Sequence, residues 1–134
     1  MRRSSLGILF AFALFACRAD VITDDVTSYA GDYTLRTVNG FVLPYAVLKT
    51  TSVTLEITDE TFSLSSGGSF TDVTHYRRTE NPTVTFPSDT LRGTFTVRGQ
   101  TASFTTSKGD LFSGTIGASE FTVEGSSTIF YYKK

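Results

Sequence analysis

The sequence has no tryptophan, and among its 134 residues there is a single cysteine and a single histidine. A lone cysteine excludes a disulfide within the chain, so no covalent cross-link contributes to the fold. A lone histidine excludes a metal site built from several histidines and leaves His75 as the one histidine able to act as a general base. We therefore predict no catalytic residue, no metal site and no cofactor, and we expect a protein that is not an enzyme.

The chain also lacks an apolar run long enough to cross a membrane. Its longest uncharged apolar stretch covers residues 6–16 and follows Arg2 and Arg3. As a helix, eleven residues rise only about 17 Å, whereas a bilayer core needs roughly 20 residues. A positive start followed by a short apolar run is typical of a signal peptide that is later removed.

The end of this stretch carries a more specific signal. The residues Leu14-Phe15-Ala16-Cys17 resemble the lipobox of bacterial lipoproteins, in which an aliphatic residue and two small or variable residues precede a cysteine. The resemblance implies that residues 1–16 are a lipoprotein signal peptide and that the thiol and new amino group of Cys17 are acylated. Acyl chains contribute about 0.8 kcal/mol per buried methylene, so two or three of them hold a protein on a membrane.

The lipobox resemblance also implies a location. In some bacteria an aspartate after the acylated cysteine retains a lipoprotein at the inner membrane, and this chain has Arg18 there. We therefore expect a lipid-anchored protein of the bacterial cell envelope, at the outer membrane, on its periplasmic or surface face. The alternative is an ordinary secretory signal that ends beside an accidental cysteine.

A basic surface is also missing. Loss of Arg2 and Arg3 with the signal peptide leaves 10 basic against 13 acidic residues, a net charge of about −3. Such a chain has no positive field for a phosphate backbone, so we predict no nucleic-acid partner. The adjacent pairs Arg77-Arg78 and Lys133-Lys134 read as solvated strand edges.

Residues 17–30 are predicted to be the acylated N-terminus and a spacer. The segment is polar and carries Asp24-Asp25. About a dozen extended residues reach roughly 40 Å, enough to hold a domain clear of lipid headgroups. Apolar residues such as Val26 leave open the alternative that part of this segment packs across the barrel mouth.

From residue 31 onward the dominant pattern is the alternation of β-strands. Gly31–Val38 alternates up to the turn signal Asn39-Gly40, and Thr50–Thr58 places Leu55 and Ile57 on the face expected to meet the core.

Two further segments bear on the acidic residues. We predict a turn at Thr58-Asp59-Glu60, which would leave both acids in solvent, followed by a strand through Phe62. In the strand from Ser69 to about Arg78, Phe70 and Asp72 share one face and His75 lies on the other. The sequence leaves open which of these two faces points inward.

Regular spacing of short strands and hairpin turns predicts an all-β fold. Eight to ten short antiparallel strands over residues 31–134 are expected to form a single up-and-down β-barrel, with a β-sandwich as the alternative. Closure into a barrel would remove the exposed strand edges that such a sequence otherwise presents.

The opening of this region, Gly31-Asp32-Tyr33, with Leu43-Pro44 further on, resembles the first strand of small lipocalin-like domains in bacterial envelope proteins. Lipocalins have glycine, any residue, then tryptophan, and the resemblance puts Tyr33 in the aromatic place at the closed end of the barrel, with a packing role. The chain departs from the family in lacking tryptophan and in ending Tyr131-Tyr132-Lys133-Lys134, without the arginine that covers the lipocalin tryptophan.

The predicted function is a lipid-anchored binding or interaction module. Its partners would be the membrane, through Cys17, and either a small hydrophobic ligand or an envelope protein. The alternative is a protein-interaction factor, such as a hydrolase inhibitor or assembly factor, whose barrel is packed solid by the nine phenylalanines beyond the signal peptide. For a hollow barrel the residues predicted to line the cavity are Tyr33, Leu55, Phe95, Phe104 and Phe121.

Overall fold

The structure is a computed structural model that describes residues 23–134. Residues 1–16 and Cys17 lie outside the described residues. A short 3-10 turn at Val26–Tyr29 precedes eleven strands. The strands are β1 (Gly31–Val38), β2 (Phe41–Val42), β3 (Tyr45–Lys49), β4 (Thr54–Leu64), β5 (Ser69–Glu80), β6 (Thr83–Thr85), β7 (Ser88–Arg98), β8 (Thr101–Thr106), β9 (Leu111–Ile116), β10 (Glu120–Glu124) and β11 (Ile129–Lys133). Within residues 23–134 no helix has the length and hydropathy of a membrane span.

Eight of the strands close into an antiparallel barrel. Starting from β1, the order is β11, β10, β9, β8, β7, β5 and β4, and β4 then pairs with β1 again. Neighbours in this order follow one another along the chain apart from the short additional strands β2, β3 and β6, which is the up-and-down arrangement. The predicted all-β, lipocalin-like barrel is confirmed, and the sandwich alternative is not what the chain forms.

The predicted strand boundaries are less accurate than the fold class. The barrel has eight strands, within the predicted eight to ten, but residues 23–134 contain three further short strands, and β4, β5 and β7 are long, with 11, 12 and 11 residues. The predicted turn at Thr58-Asp59-Glu60 is wrong, because β4 runs through it. Ile57 and Asp59 pair with the consecutive residues Tyr76 and His75 of β5, so that one extra residue bulges from β4 between them.

This bulge determines where Glu60 points. Successive strand residues face opposite sides of a sheet, so residues three apart normally point in opposite directions. A bulge adds one residue and shifts the alternation. Ile57 and Glu60 are both buried inside the barrel, with 3% and 4% of their surface exposed.

One end of the barrel, the closed end, is built around Tyr33. Its buried ring meets Phe121 edge to face at 4.9 Å, and its hydroxyl donates to the Tyr29 carbonyl at 2.7 Å. The Lys134 ammonium lies 5.1 Å from the centre of the Tyr33 ring, so a lysine covers this ring. A Cβ at Gly31 would approach Lys134 Cε to 3.0 Å, and the glycine therefore gives the lysine room.

Above Tyr33 the closed half is filled by an aromatic stack. Phe62 is one of its central rings, because its ring centre lies 5.1 to 5.6 Å from four other rings, most of them in edge-to-face geometry. Such pairs contribute about 0.5–1.5 kcal/mol beyond the burial of their surface. The four partners are Phe70, Phe104, Phe121 and Tyr132.

The other end, the open end, is splayed. β1 and β4 pair only from Gly31 with Leu64 to Thr34 with Thr61. Beyond these four pairs β1 pairs with β2, and β4 pairs with β3. The two closing strands therefore separate in the open half, which leaves room inside it.

Part of the predicted spacer packs against the closed end. The Asp24 amide donates to the Val97 carbonyl at 2.8 Å, and the Asp24 carboxylate accepts from the Gly99 amide at 2.7 Å. Val26 and Tyr29 pack against the core. These residues therefore pack on the barrel rather than extend away from it, but they do so at the closed end and not across the mouth.

Candidate binding cavity

The open half of the barrel contains a cavity of about 420 Å³. This volume falls within the range of about 300–1,000 Å³ that is typical of small-ligand sites. The residues that line it come from seven of the strands. They are Val47, Leu55, Ile57, Glu60, Phe62, Asp72, Thr74, Tyr76, Asp89, Leu91, Phe112, Val123, Phe130 and Tyr132.

The lining divides into apolar walls and a polar patch. The walls are aliphatic and aromatic side chains such as Leu55, Leu91 and Phe130, and Phe62 of the aromatic stack also borders the cavity. The polar patch comes mainly from β4, β5 and β11, and it contains Glu60, Asp72 and Tyr132. A largely apolar cavity with a few convergent polar groups is the usual composition of a small-molecule site.

Neighbouring strands bring the polar patch together. The bulge in β4 turns Glu60 inward, and on β5 the inward face is the one that carries Phe70, so Asp72 also points inside. Phe62 pairs with Asp72, and Glu60 pairs with Thr74, which places the two acids diagonally across adjacent strands. On the far side the Tyr132 hydroxyl donates to Glu60 Oε1.

Burial changes how these groups ionise. Burial, followed by the charge of Glu60, raises the pKa of Asp72 to about 8. Burial also raises the pKa of Glu60, although the hydrogen bond from Tyr132 acts in the opposite direction. Burial and then the nearby charge of Glu60 hold the pKa of Tyr132 well above its usual range. At neutral pH the two carboxyls therefore retain a proton, with Asp72 as its main site.

Of the five residues predicted to line a cavity, only Leu55 does so. The other four lie in the packed closed half, where their exposed fractions do not exceed 3%. All five point into the barrel. Alternation gives the face of a strand but not the height along the barrel axis, which depends on strand register and on how far the closing strands stay paired. The four residues of the packed closed half are Tyr33, Phe95, Phe104 and Phe121.

Sequence reasoning missed the buried acids. The pair Asp59-Glu60 is typical of a solvated turn, and no local signal marks the bulge that turns Glu60 inward. Asp72 could have been found, because it shares a strand face with Phe70. If the face that carries Phe70 points inward, alternation places Asp72 inside the barrel as well.

The single histidine lies away from the cavity. His75 is on the outer face of β5, where its Nδ1 is 2.8 Å from Asp59 Oδ1, and both side chains are more than half exposed. Within residues 23–134 no three or more histidine, cysteine or acidic side chains form a group able to hold a metal ion. What the cavity offers chemically is an apolar space with hydrogen-bond acceptors and negative charge on one side.

No protein-family model, no curated protein and no solved structure matches this chain. What the protein does has therefore to be inferred from the cavity and the surfaces around it.

Proposed function

We propose that this chain is a lipid-anchored binding module of the bacterial cell envelope, whose barrel holds a small hydrophobic ligand. The observation that carries the proposal is the cavity of about 420 Å³ with apolar walls in the open half. A barrel packed solid throughout, as the protein-interaction alternative supposes, would leave no such space.

The surroundings of the cavity support entry of an apolar molecule. Large hydrophobic side chains with more than 40% of their surface exposed lie on the loops and strand ends of the open end. Exposed apolar surface of this kind is typical of ligand grooves and interaction sites. The most exposed of these side chains are Phe41, Val42, Phe86 and Leu111.

A variant that fills the cavity tests the proposal. Leu91 lines the cavity, so the indole of Leu91→Trp should occupy space that the ligand needs. We expect the affinity for the neutral fluorophore N-phenylnaphthylamine to fall about tenfold. The indole and the fluorophore together would overfill the cavity, and overpacking costs about 1–3 kcal/mol. The measurement is fluorescence enhancement on titration of the fluorophore into the purified protein.

Thr94→Trp is the matched control, because Thr94 lies on the same strand as Leu91, is exposed on the outer face of β7 and does not line the cavity. Its affinity should equal that of the unmodified protein. Equal affinities in all three proteins, or no uptake by the unmodified protein, would contradict a hydrophobic cup.

The position of the anchor is compatible with this function. The described chain enters the barrel at the closed end through Asp24, and Cys17 is only seven residues before it. A lipid on Cys17 would therefore tether the end of the barrel opposite the cavity mouth and leave that mouth free.

Acylation of Cys17 is tested by intact mass. Protein purified from the membranes of an expressing bacterium should begin at Cys17 and carry the added mass of its acyl chains. Cys17→Ala should lose that mass and leave the membrane fraction, because the anchoring methylenes, at about 0.8 kcal/mol each, are gone. An unacylated protein in the soluble fraction would contradict the lipid anchor, but it would not bear on ligand binding in the cavity.

A further inference from the structure

The cavity has a charge bias that a simple hydrophobic ligand does not explain. Three acidic residues, Glu60, Asp72 and Asp89, line it, and among residues 23–134 no lysine, arginine or histidine does. Burying acidic groups costs free energy unless they are paired or hydrogen-bonded. A cavity meant for a purely apolar guest would be more favourable without them.

The two innermost acids differ in how well they are satisfied. Glu60, with 4% of its surface exposed, accepts a hydrogen bond from the Tyr132 hydroxyl. Asp72 Oδ1 is fully buried and has no hydrogen-bond partner among residues 23–134. A buried polar atom left without a hydrogen-bond partner costs about 1–3 kcal/mol. A ligand that brings a donor to this oxygen would recover that loss.

The chemistry of the patch selects the donor. A carboxylate ligand would meet like charges, and an alcohol brings one donor and no charge. An ammonium group brings three donors and a positive charge, and hydrogen bonds to charged groups are roughly twice as strong as neutral ones. The apolar walls leave space for an alkyl or aryl body attached to it.

We propose that the cavity binds an amphiphilic organic amine, with its ammonium on the Asp72 and Glu60 carboxylates and its apolar body against the walls around Leu55 and Leu91. This inference rests on the proposed function and specifies its ligand class. The buried acids would select the ammonium group of the ligand, and the apolar walls would supply most of the binding free energy.

Binding of the cation should be coupled to release of a proton. The titratable groups facing Asp72 are Glu60 from β4, Asp89 from β7, Tyr76 from β5, the strand of Asp72 itself, and Tyr132 from β11. The raised pKa of Asp72, about 8, means that it is mostly protonated at neutral pH. An arriving ammonium replaces this proton, so its affinity should increase as the pH rises towards 8.

Three ligands with one chain and different head groups make the test. Octylamine, octanol and octanoate are used to displace N-phenylnaphthylamine from the purified full-length protein at pH 7 and pH 8. Octylamine should compete at least about tenfold better than octanol, the value expected for a charge-assisted hydrogen bond. Octanoate should be the weakest, and only octylamine should gain from the higher pH.

Matched substitutions locate the effect. Asp72→Asn should bring octylamine and octanol to within about threefold of each other, since it removes the charge and part of the pairing. Asp59→Asn makes the same change on the outer face, where the side chain is 60% exposed, and should keep the full preference. Calorimetric titration of octylamine into each protein gives a second reading that does not depend on the fluorophore.

The outcomes separate this inference from the proposed function. One outcome is that Leu91→Trp loses fluorophore uptake while octylamine and octanol compete equally. This result supports a hydrophobic cavity and contradicts a preference for amines. Retention of the preference for octylamine in Asp72→Asn would also contradict the proposed amine site. Absence of uptake and of calorimetric heat for octylamine overturns both.

Discussion

Phe62→Ala should lower the free energy of unfolding by about 3–5 kcal/mol, the usual cost of removing a buried aromatic ring. Phe62 is 1% exposed and contacts four other rings of the aromatic stack. Its loss would leave a void bordered by rings that β-strand hydrogen bonds hold apart, so the surroundings cannot collapse to fill it. Stability is measured by urea unfolding at fixed pH, followed by tyrosine fluorescence or circular dichroism.

Phe86→Ala is the control for this prediction. It makes the same chemical change at a side chain that is 75% exposed, where substitutions usually alter stability by no more than about 0.5 kcal/mol. If Phe62→Ala loses no more than this control, the closed half is not the packed core of the domain.

The second large effect is on pH dependence, where the free energy of unfolding should fall as the pH rises from about 4 to about 8. Asp72 has a pKa of about 8 in the folded protein against an ordinary value of 3.8. Between these values the folded protein binds more protons than the unfolded chain, so raising the pH favours unfolding. One such group changes stability by about 1.4 kcal/mol per pH unit, and the raised pKa of Glu60 acts with the same sign.

Asp72→Asn isolates this contribution. The amide resembles the protonated carboxyl and does not ionise, so the slope between pH 4 and pH 8 should flatten. The variant should exceed the unmodified protein at pH 8 by about 3 kcal/mol or more. Asp59→Asn on the outer face should keep the original slope. The measurement is urea unfolding over a pH series, and an unchanged slope in Asp72→Asn would contradict the assignment.

The barrel was predictable because the local sequence pattern indicates most of its strands. Gly31–Val38 alternates and ends at Asn39-Gly40, and β8 and β9 alternate between short turns in the same way. An antiparallel chain of such strands has few ways to pair, and closure follows from the need to cover its edges. Local patterns therefore fix the order of the strands.

The cavity was not predictable from the same patterns, because it depends on distances between strands remote in sequence. The separation of β1 from β4 beyond Thr34 and the bulge after Ile57 arise from tertiary pairing. Neither the strand separation nor the bulge is indicated by the sequence around it. Phe104 and Leu55 look alike as inward residues of a strand, yet one lies in the stack and the other on the cavity wall.

The division of the barrel into a filled half and a hollow half bears on how such a protein changes over time. The aromatic stack around Phe62 keeps the chain folded, whereas wall residues such as Leu91 and Val123 border empty space and contribute less to stability. Ligand preference can therefore diverge among descendants while the fold persists. For protein engineering the same division makes this barrel a scaffold, in which a library of wall variants would consist mainly of folded members with different guests.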